Sequence, residues 1–486
     1  MMPAVVAALM SALIAWLAPA PQTDRFTHDF SVKRSGEVVA VIRASCARCD
    51  WGEPGREAVV LRLSVDGTYS QHLFLSRGEA PAVYRVRLGT LAPGRHELHV
   101  ERDAELSAKG AGPAAIDVLG IALAVDGNDD GAEAMAPIVY ARPNTVGRFT
   151  DLPLLMWYEI VPTRRGRQFR YSVIFSNEDG GTQTDRLMAT WGRTTDIEFI
   201  YGVETDRNGK IIAEEFQGPG HEVPAFKGRH EGRHPLLWVS TDNNMVSESG
   251  PTQVRYAPSA DKFDLRNVAR EAVMDANPWT YAIASVEMRR EGKIADEAPP
   301  GNNTISDPRR FVYVEACGTI GNAALALSIG SVPPQPIGSV RLQPDTEHPI
   351  DSVRLPASAP VAFNGATARP GRSAKREGGQ PDPELIWTSS DRGMRQYRIV
   401  RDGCFRIATP LPSGTRASDI RALRVQAFER PPVEGSAPAS PNPVVVTRIN
   451  KVFMLDELFL PGPSILRWEG PVSIPVGGAP FEVRIP

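Results

Sequence analysis

Two carboxylates, Asp196 and Glu198, stand two residues apart in the run Thr195-Asp196-Ile197-Glu198-Phe199. Side chains alternate along an extended strand, so both carboxylates fall on one side, roughly 7 Å apart. Ile197, Phe199, Tyr201 and Val203 then take the other side. A pair so placed can share a cation or flank a glycosidic bond as acid and base; its plain alternative is a solvated strand face. Downstream, His221, His230 and His234 bring three of the chain's 8 histidines into one short stretch. His230 to His234 also spells His-Glu-x-x-His. That template binds zinc only on a helix, and Gly228, Gly232 and Pro235 oppose a helix there. In a loop, His221 can still move protons, and His230 and His234 are candidates for substrate contacts. Trp191, Trp238 and Trp157 offer flat apolar faces of the kind on which sugar rings stack, with burial in a core as the alternative.

The segments around these residues read as β structure. Leu154 to Val161 and Phe169 to Phe175 flank a basic turn, and Ile197 to Thr205 and Ile211 to Phe216 flank Asn208-Gly209, a strong hairpin signal. Asp264 to Ala276 has the apolar spacing of a helix, with Asn277-Pro278 as its stop. The central segment, 136–330, is therefore expected to be β-rich with one prominent helix. Before it, short alternating runs between residues 24 and 125 predict an antiparallel β-sandwich. It ends at Asp126-Gly127-Asn128-Asp129-Asp130-Gly131, which reads first as a linker and second as half of a calcium loop. Residues 331–486 hold further strand-like runs between polar tracts at 365–383 and 431–443, a third β domain. The fold class expected is all-β, mainly antiparallel, in several sandwich modules.

The central segment also resembles a family. Trp191-Gly192-Arg193-Thr194-Thr195-Asp196-Ile197-Glu198, a strand, the turn Asn208-Gly209-Lys210, a second strand and Gly220-His221 are similar to the core of the necrosis- and ethylene-inducing peptide-like proteins. The hallmark of that family is Gly-His-Arg-His-Asp-Trp-Glu, then a hairpin and a His-Gly. The resemblance implies a β-sandwich core, Asp185, Asp196 and Glu198 as ligands of a divalent cation (Ca, Mg or Zn), His221 as the later histidine, and a sugar-bearing lipid headgroup as ligand. Arg193 and Thr195 replace the two motif histidines and Ile197 the tryptophan, so the family's cytolytic activity is not carried over.

Composition sets the surroundings. The chain has 486 residues, 42% hydrophobic and 23% charged, with 42 Gly and 43 Pro, which suits many short elements in several domains. Formal net charge is −3, from 54 basic and 57 acidic residues, which gives no broad field for nucleic acid or an anionic membrane. Residues 1–20 read as a signal peptide, an uncharged apolar run closing on Ala18-Pro19-Ala20. An uncleaved anchor is the alternative, and both place the body of the protein in the cell envelope, the periplasm or outside. No second membrane span is expected. Cys46, Cys49, Cys317 and Cys404 suggest the disulfides Cys46–Cys49 and Cys317–Cys404, the two other pairings remaining open. No nucleophile elbow, Walker loop or dinucleotide fingerprint occurs, so no nucleotide or organic cofactor is expected. The function expected is a carbohydrate-active protein, a glycan hydrolase or lyase, or a carbohydrate-binding one. Asp196, Glu198 and His221 would carry its chemistry. A non-catalytic, metal-assisted glycolipid-headgroup binder and a structural envelope or adhesion protein are the alternatives.

Overall fold

The computed structural model describes residues 24–124, 131–178, 180–333, 384–430 and 442–485. The expected signal segment at 1–20, Asp126 to Asp130 of the calcium-like turn, the polar tract 365–383 and most of the tract 431–443 lie outside the described residues.

The alternating runs of the first segment form two packed sheets. One orders the strands Arg25–Val32, Gly94–Arg102, Val60–Val65 and Thr68–Phe74; the other orders Ala82–Leu91, Gly36–Cys46 and Ala114–Leu123. Val38, Ala40 and Ile42 from one sheet meet Leu61, Leu63, Leu98 and Val100 from the other, as a two-residue period requires. The Cys46–Cys49 disulfide closes the turn after Gly36–Cys46. Trp51, just beyond it, packs between Phe74 and Phe149 and donates its indole N–H to Glu287 Oε2 at 2.7 Å. The first sandwich is thereby fastened to the helix Trp279–Arg290.

In the centre, the antiparallel strands Pro153–Pro162, Gly166–Phe175, Ile197–Asp206 and Ile211–Phe216 join Ala260–Lys262, which runs parallel to the first of them. One face packs on a smaller sheet that includes Ile138–Tyr140, His234–Val239 and Arg255–Tyr256. Met156, Tyr158, Phe169, Tyr171, Val173, Tyr201, Val203 and Leu237 form the shared core. The opposite face is covered as well. There Trp157, Ile174 and Ile197 meet Met274, Tyr281 and Met288 from two helices, and Phe311, Tyr313 and Phe453 from the third module. Both faces of this sheet being dry, its strands read as near-continuous apolar runs.

The helix expected at Asp264 to Ala276 is a correction. Only Ala272–Ala276 is α-helical, and the long helix is Trp279–Arg290. Asp264 accepts from the backbone N–H of Arg266 at 3.2 Å and from its guanidinium at 2.8 Å, a local pairing that holds the segment as a turn. Pro278 ends one helix and opens the next, where its missing N–H is no loss.

The third module pairs Gly403–Pro410, Phe311–Thr319, Val444–Phe453 and Trp468–Ile474 in one sheet, and Ile386–Ser389, Ala323–Ser331, Ile420–Glu429 and Phe481–Arg484 in the other. A division at residue 330 would set Phe311–Thr319 and Ala323–Ser331 in the central domain, yet their strand partners are all C-terminal. Cys317 and Cys404 are register partners on neighbouring strands and form the second disulfide. The all-β, mainly antiparallel architecture in sandwich modules is thus as expected. Four short or medium α-helices accompany it among the described residues, none long and apolar enough to cross a membrane. The two disulfides are compatible with a periplasmic or extracellular setting.

Candidate functional site

Asp196 and Glu198 flank the first residue of the strand Ile197–Asp206. Simple alternation does not persist along that strand. Tyr171 pairs with Tyr201 but Ser172 with Phe199, so Ile200 is an extra residue in the ladder. The bulge reverses the facing: Ile197 packs toward the helices and the third module, whereas Tyr201 and Val203 pack toward the small sheet. Beyond the bulge the ladder continues, with Glu198 opposite Val173 and Ile197 opposite Ile174, so the two carboxyl groups sit on a paired strand end.

A cleft of about 200 Å³ opens there, lined among others by Glu178, Trp191, Arg193, Asp196, Glu198, His221, Asn243 and Arg270. Four residues singled out from the sequence, Trp191, Asp196, Glu198 and His221, are therefore brought together. Trp191 is the last residue of the helix Thr184–Trp191, which Gly192 caps in the left-handed conformation at φ 61°. A side chain at 192 would place its Cβ 2.6 Å from Arg406 Cγ and 3.0 Å from the Ile407 backbone, so only glycine lets the helix end dock on the third module. The Trp191 ring is ringed by cations, with the guanidinium carbon of Arg401 at 3.7 Å, Arg270 at 5.5 Å and Arg193 at 5.6 Å.

Asp196 is 1% exposed. Its Oδ2 accepts from Asn244 at 3.1 Å and its Oδ1 lies 3.5 Å from Arg193. Arg193 also pairs with buried Glu271 at 3.2 Å. Burial, reinforced by the Asp196 negative charge, pushes the Glu198 carboxyl up to about 9 and the Glu178 carboxyl up to about 8. Both shifts favour the protonated form of these carboxyl groups. Glu198 Oε2 accepts from Gln217 Nε2 at 2.8 Å, and the same nitrogen lies 3.2 Å from His221 Nδ1. His221 sits exposed in a turn closed by Gly218, with φ 61°, and its Nε2 is 3.3 Å from Asn243 Nδ2.

Other sequence candidates lie elsewhere. Asp185 does not line the cleft: buried, it accepts from the Tyr397 hydroxyl at 2.5 Å and from the Gly301 N–H at 2.5 Å. Arg193 and Arg270 bring positive charge to the same cleft, which opposes a cation there. Among the described residues, no group of three or more His, Cys, Asp and Glu is arranged to hold a metal ion. The ligand set Asp185, Asp196 and Glu198 is thus not assembled. His230 and His234 belong to a hairpin, not a helix, turning at Gly232. His230 Nε2 meets Glu214 at 2.7 Å. His234 is buried between Glu37 at 3.1 Å and Arg87 at 3.0 Å, where it joins the first sandwich to the central one. Trp238 stacks on Tyr140 at 4.2 Å, 3% exposed, and Trp157 is fully buried. His234, Trp238 and Trp157 are buried structural side chains, whereas His230 is exposed outside the cleft. Sequence reasoning missed Glu178, Gln217, Asn243 and Arg270; the polar run Ser176-Asn177-Glu178 at the end of a buried strand was the available signal for the first.

No family model and no curated protein matches the chain. Among solved structures, two forms of a GH2 β-galacturonidase from Eisenbergiella tayi, one bound to galacturonate and one to glycerol, are similar over 32% of this chain. Identities are 12% and 13% and TM-scores 0.13 and 0.12, and this chain spans 22% of the length of those enzymes.

Proposed function

We propose that the protein is an exported, carbohydrate-active protein that binds a glycan in the central cleft and cleaves it by acid–base chemistry. The observation that carries this reading is the convergence of Trp191, Glu198, Asp196 and His221 on one cleft. Trp191 lines the cleft as an apolar wall, with Arg401 stacked 3.7 Å from its ring centroid. Glu198 is the proton donor, kept protonated at neutral pH by burial and by Asp196. His221, linked to Glu198 through Gln217, is the second proton-transfer group. Asp196 is a positioning residue: its burial removes it from a ligand's reach, and its charge sets the state of its neighbours. The cleft is smaller than the roughly 300–1,000 Å³ of a drug-sized pocket, which suits one ring of a longer chain, the rest lying across the surface.

The test is a screen of the purified protein against diverse glycans, for binding and for chain cleavage, beside the double variant Asp196→Asn/Glu198→Gln. Both replacements keep size and hydrogen-bonding shape, and Arg193 keeps Glu271 as its partner; the melting temperature of the variant checks its fold. Cleavage by the parent and none by the variant is the expected result. Equal behaviour of the two proteins, or no glycan bound by either, overturns the reading.

A further inference from the structure

Two guanidinium groups at the cleft make no close ion pair, although the charge of Arg270 is felt by Glu159 and Glu198. Arg186 is exposed on the helix that carries Trp191, and Arg270 lies half-buried over the Trp191 ring. Both line the cleft, and among the described residues neither has an ion pair. By contrast, Arg193 is already held by Glu271 and Asp196. Arg186 and Arg270 therefore leave two open fork-shaped donors beside an aromatic wall, an arrangement suited to a planar carboxylate.

A second observation concerns how a bond could be cut. Hydrolysis by a retaining route needs a carboxylate that reaches the sugar ring, and an inverting route needs two carboxyl groups about 6.5–9.5 Å apart on opposite sides of it. Asp196 cannot reach out, since it is buried with one oxygen on Asn244 and the other toward Arg193. Glu178 has one oxygen committed to the Thr182 N–H at 2.7 Å. The two groups that do share one opening, Glu198 and His221, touch the same Gln217 nitrogen. They are therefore neighbours at one end of the cleft, close enough to act on one sugar ring together.

From these relationships we infer that the cleft takes a uronate-bearing glycan and cleaves it by β-elimination, with Arg186 and Arg270 on the sugar carboxylate, His221 as base and Glu198 as acid. This rests on the glycan reading given above. His221 takes the proton from C5 of the uronate on a ring nitrogen that gives up its contact with Asn243 or Gln217, and the C–H electron pair forms the C4–C5 double bond. The C4–O4 bond breaks, and the leaving O4 takes the proton of the Glu198 carboxyl. Charge that develops on the C5 side is spread into the carboxylate held by the two arginines. One chain becomes two, one ending in an unsaturated uronate. No water, oxidant or reductant is consumed, and the two proton carriers exchange with solvent between turnovers.

The experiment incubates the full protein with polygalacturonate, alginate and hyaluronan, and in parallel with carboxyl-reduced polygalacturonate. Products are read by the ultraviolet absorbance of the conjugated double bond and by mass. The expected result is unsaturated ends from at least one uronate polymer and none from the reduced one. His221→Asn, a residue that tolerates positive φ, is expected to lose ~100-fold or more in rate. Arg270→Gln should raise KM at least tenfold on the same polymer, with its melting temperature unchanged. Cleavage that leaves saturated ends, or equal cleavage of the reduced polymer, overturns elimination and uronate selection while the glycan reading stands. Unsaturated ends formed at the parental rate by His221→Asn overturn the assigned base. If no polymer of the panel is cleaved while neutral glycans are, the inference falls alone; if no glycan of any kind is bound or cleaved, both fall.

Discussion

The Nε2 atom of Gln217 lies 2.8 Å from Glu198 Oε2. An amide donor favours the ionised form of the carboxyl it touches, so Gln217 restrains the rise that burial and Asp196 impose on Glu198. Gln217→Leu should therefore raise the Glu198 pKa further and move the alkaline limb of the pH–rate profile upward. The maximal rate should fall about tenfold, since His221 loses the same contact and the pair is no longer held in one geometry. A pH–rate profile on a cleaved glycan checks both effects. A fall in rate with an unmoved alkaline limb would mean that Gln217 acts only by packing.

Asp196 gives the opposite sign. Its negative charge is, after burial, the largest cause of the raised Glu198 and Glu178 carboxyls. Asp196→Asn removes the charge and retains an oxygen for Asn244. The alkaline limb should then shift downward, by less than the whole rise because burial remains. An unshifted limb would show that Asp196 does not set the state of Glu198.

Folding stability carries the same signature. Glu178, Glu198 and Glu287 are raised from 4.5 to about 8, 9 and 7, each chiefly by burial. Above the ordinary glutamate value the unfolded chain releases these protons while the folded chain keeps them. Stability contributed by each group is thus complete below pH 4.5, falls as pH rises toward the folded value, and is lost beyond it. Glu287→Gln keeps an oxygen to accept from Trp51 and removes the ionisation. Urea midpoints measured from pH 5 to pH 8 should fall less steeply in this variant, by on the order of 2 kcal/mol over that range. Parallel curves for variant and parent would count against a buried, protonated Glu287.

How much of this was legible in the sequence depends on how far each feature reaches along the chain. The hairpin Ile197–Asp206 with Ile211–Phe216 was readable because its cause, Asn208-Gly209, is local. Asp196, Glu198 and Trp191 were readable as a cluster because they lie on one short stretch. The bulge at Ile200 was not, since it is a property of pairing with Tyr171 and Ser172. Asp185 and His234 were misread for a related reason. Their partners Tyr397, Glu37 and Arg87 are more than a hundred residues away, and no local rule says that a carboxylate or an imidazole will be spent on an interface. Trp238 illustrates the same point for aromatics, because its face is taken by Tyr140. The long helix was misplaced because Pro278 can end one helix or begin another, and only the packing of Tyr281 and Met288 on the central sheet decides between them.

Arg406 is an interface residue that packs against the helix cap behind Trp191. It is fully buried on the strand Gly403–Pro410 and donates to Asp275 at 2.5 Å, to Glu315 at 2.6 Å and to the Tyr281 hydroxyl at 2.5 Å. Those partners lie on both helices and on a strand of the third module, so one guanidinium ties three elements together. Its Cγ also covers Gly192, the cap that fixes Trp191. Arg406→Met keeps the aliphatic stem but leaves buried Glu315 without its cation and Asp275 with Lys451 alone, at 3.5 Å. Breaking a buried ion pair from one side costs about 3–5 kcal/mol, and the loss should appear in full in urea unfolding. The triple variant Arg406→Met/Asp275→Asn/Glu315→Gln removes the stranded charges and should recover much of that loss. Its cleft provides the finer test: with stability largely recovered but the three-way tie gone, Trp191 fluorescence should respond to a bound glycan less than in the parent. If the triple variant binds and responds as the parent does, the network serves stability alone and the Trp191 wall is set by Gly192 and its strand contact.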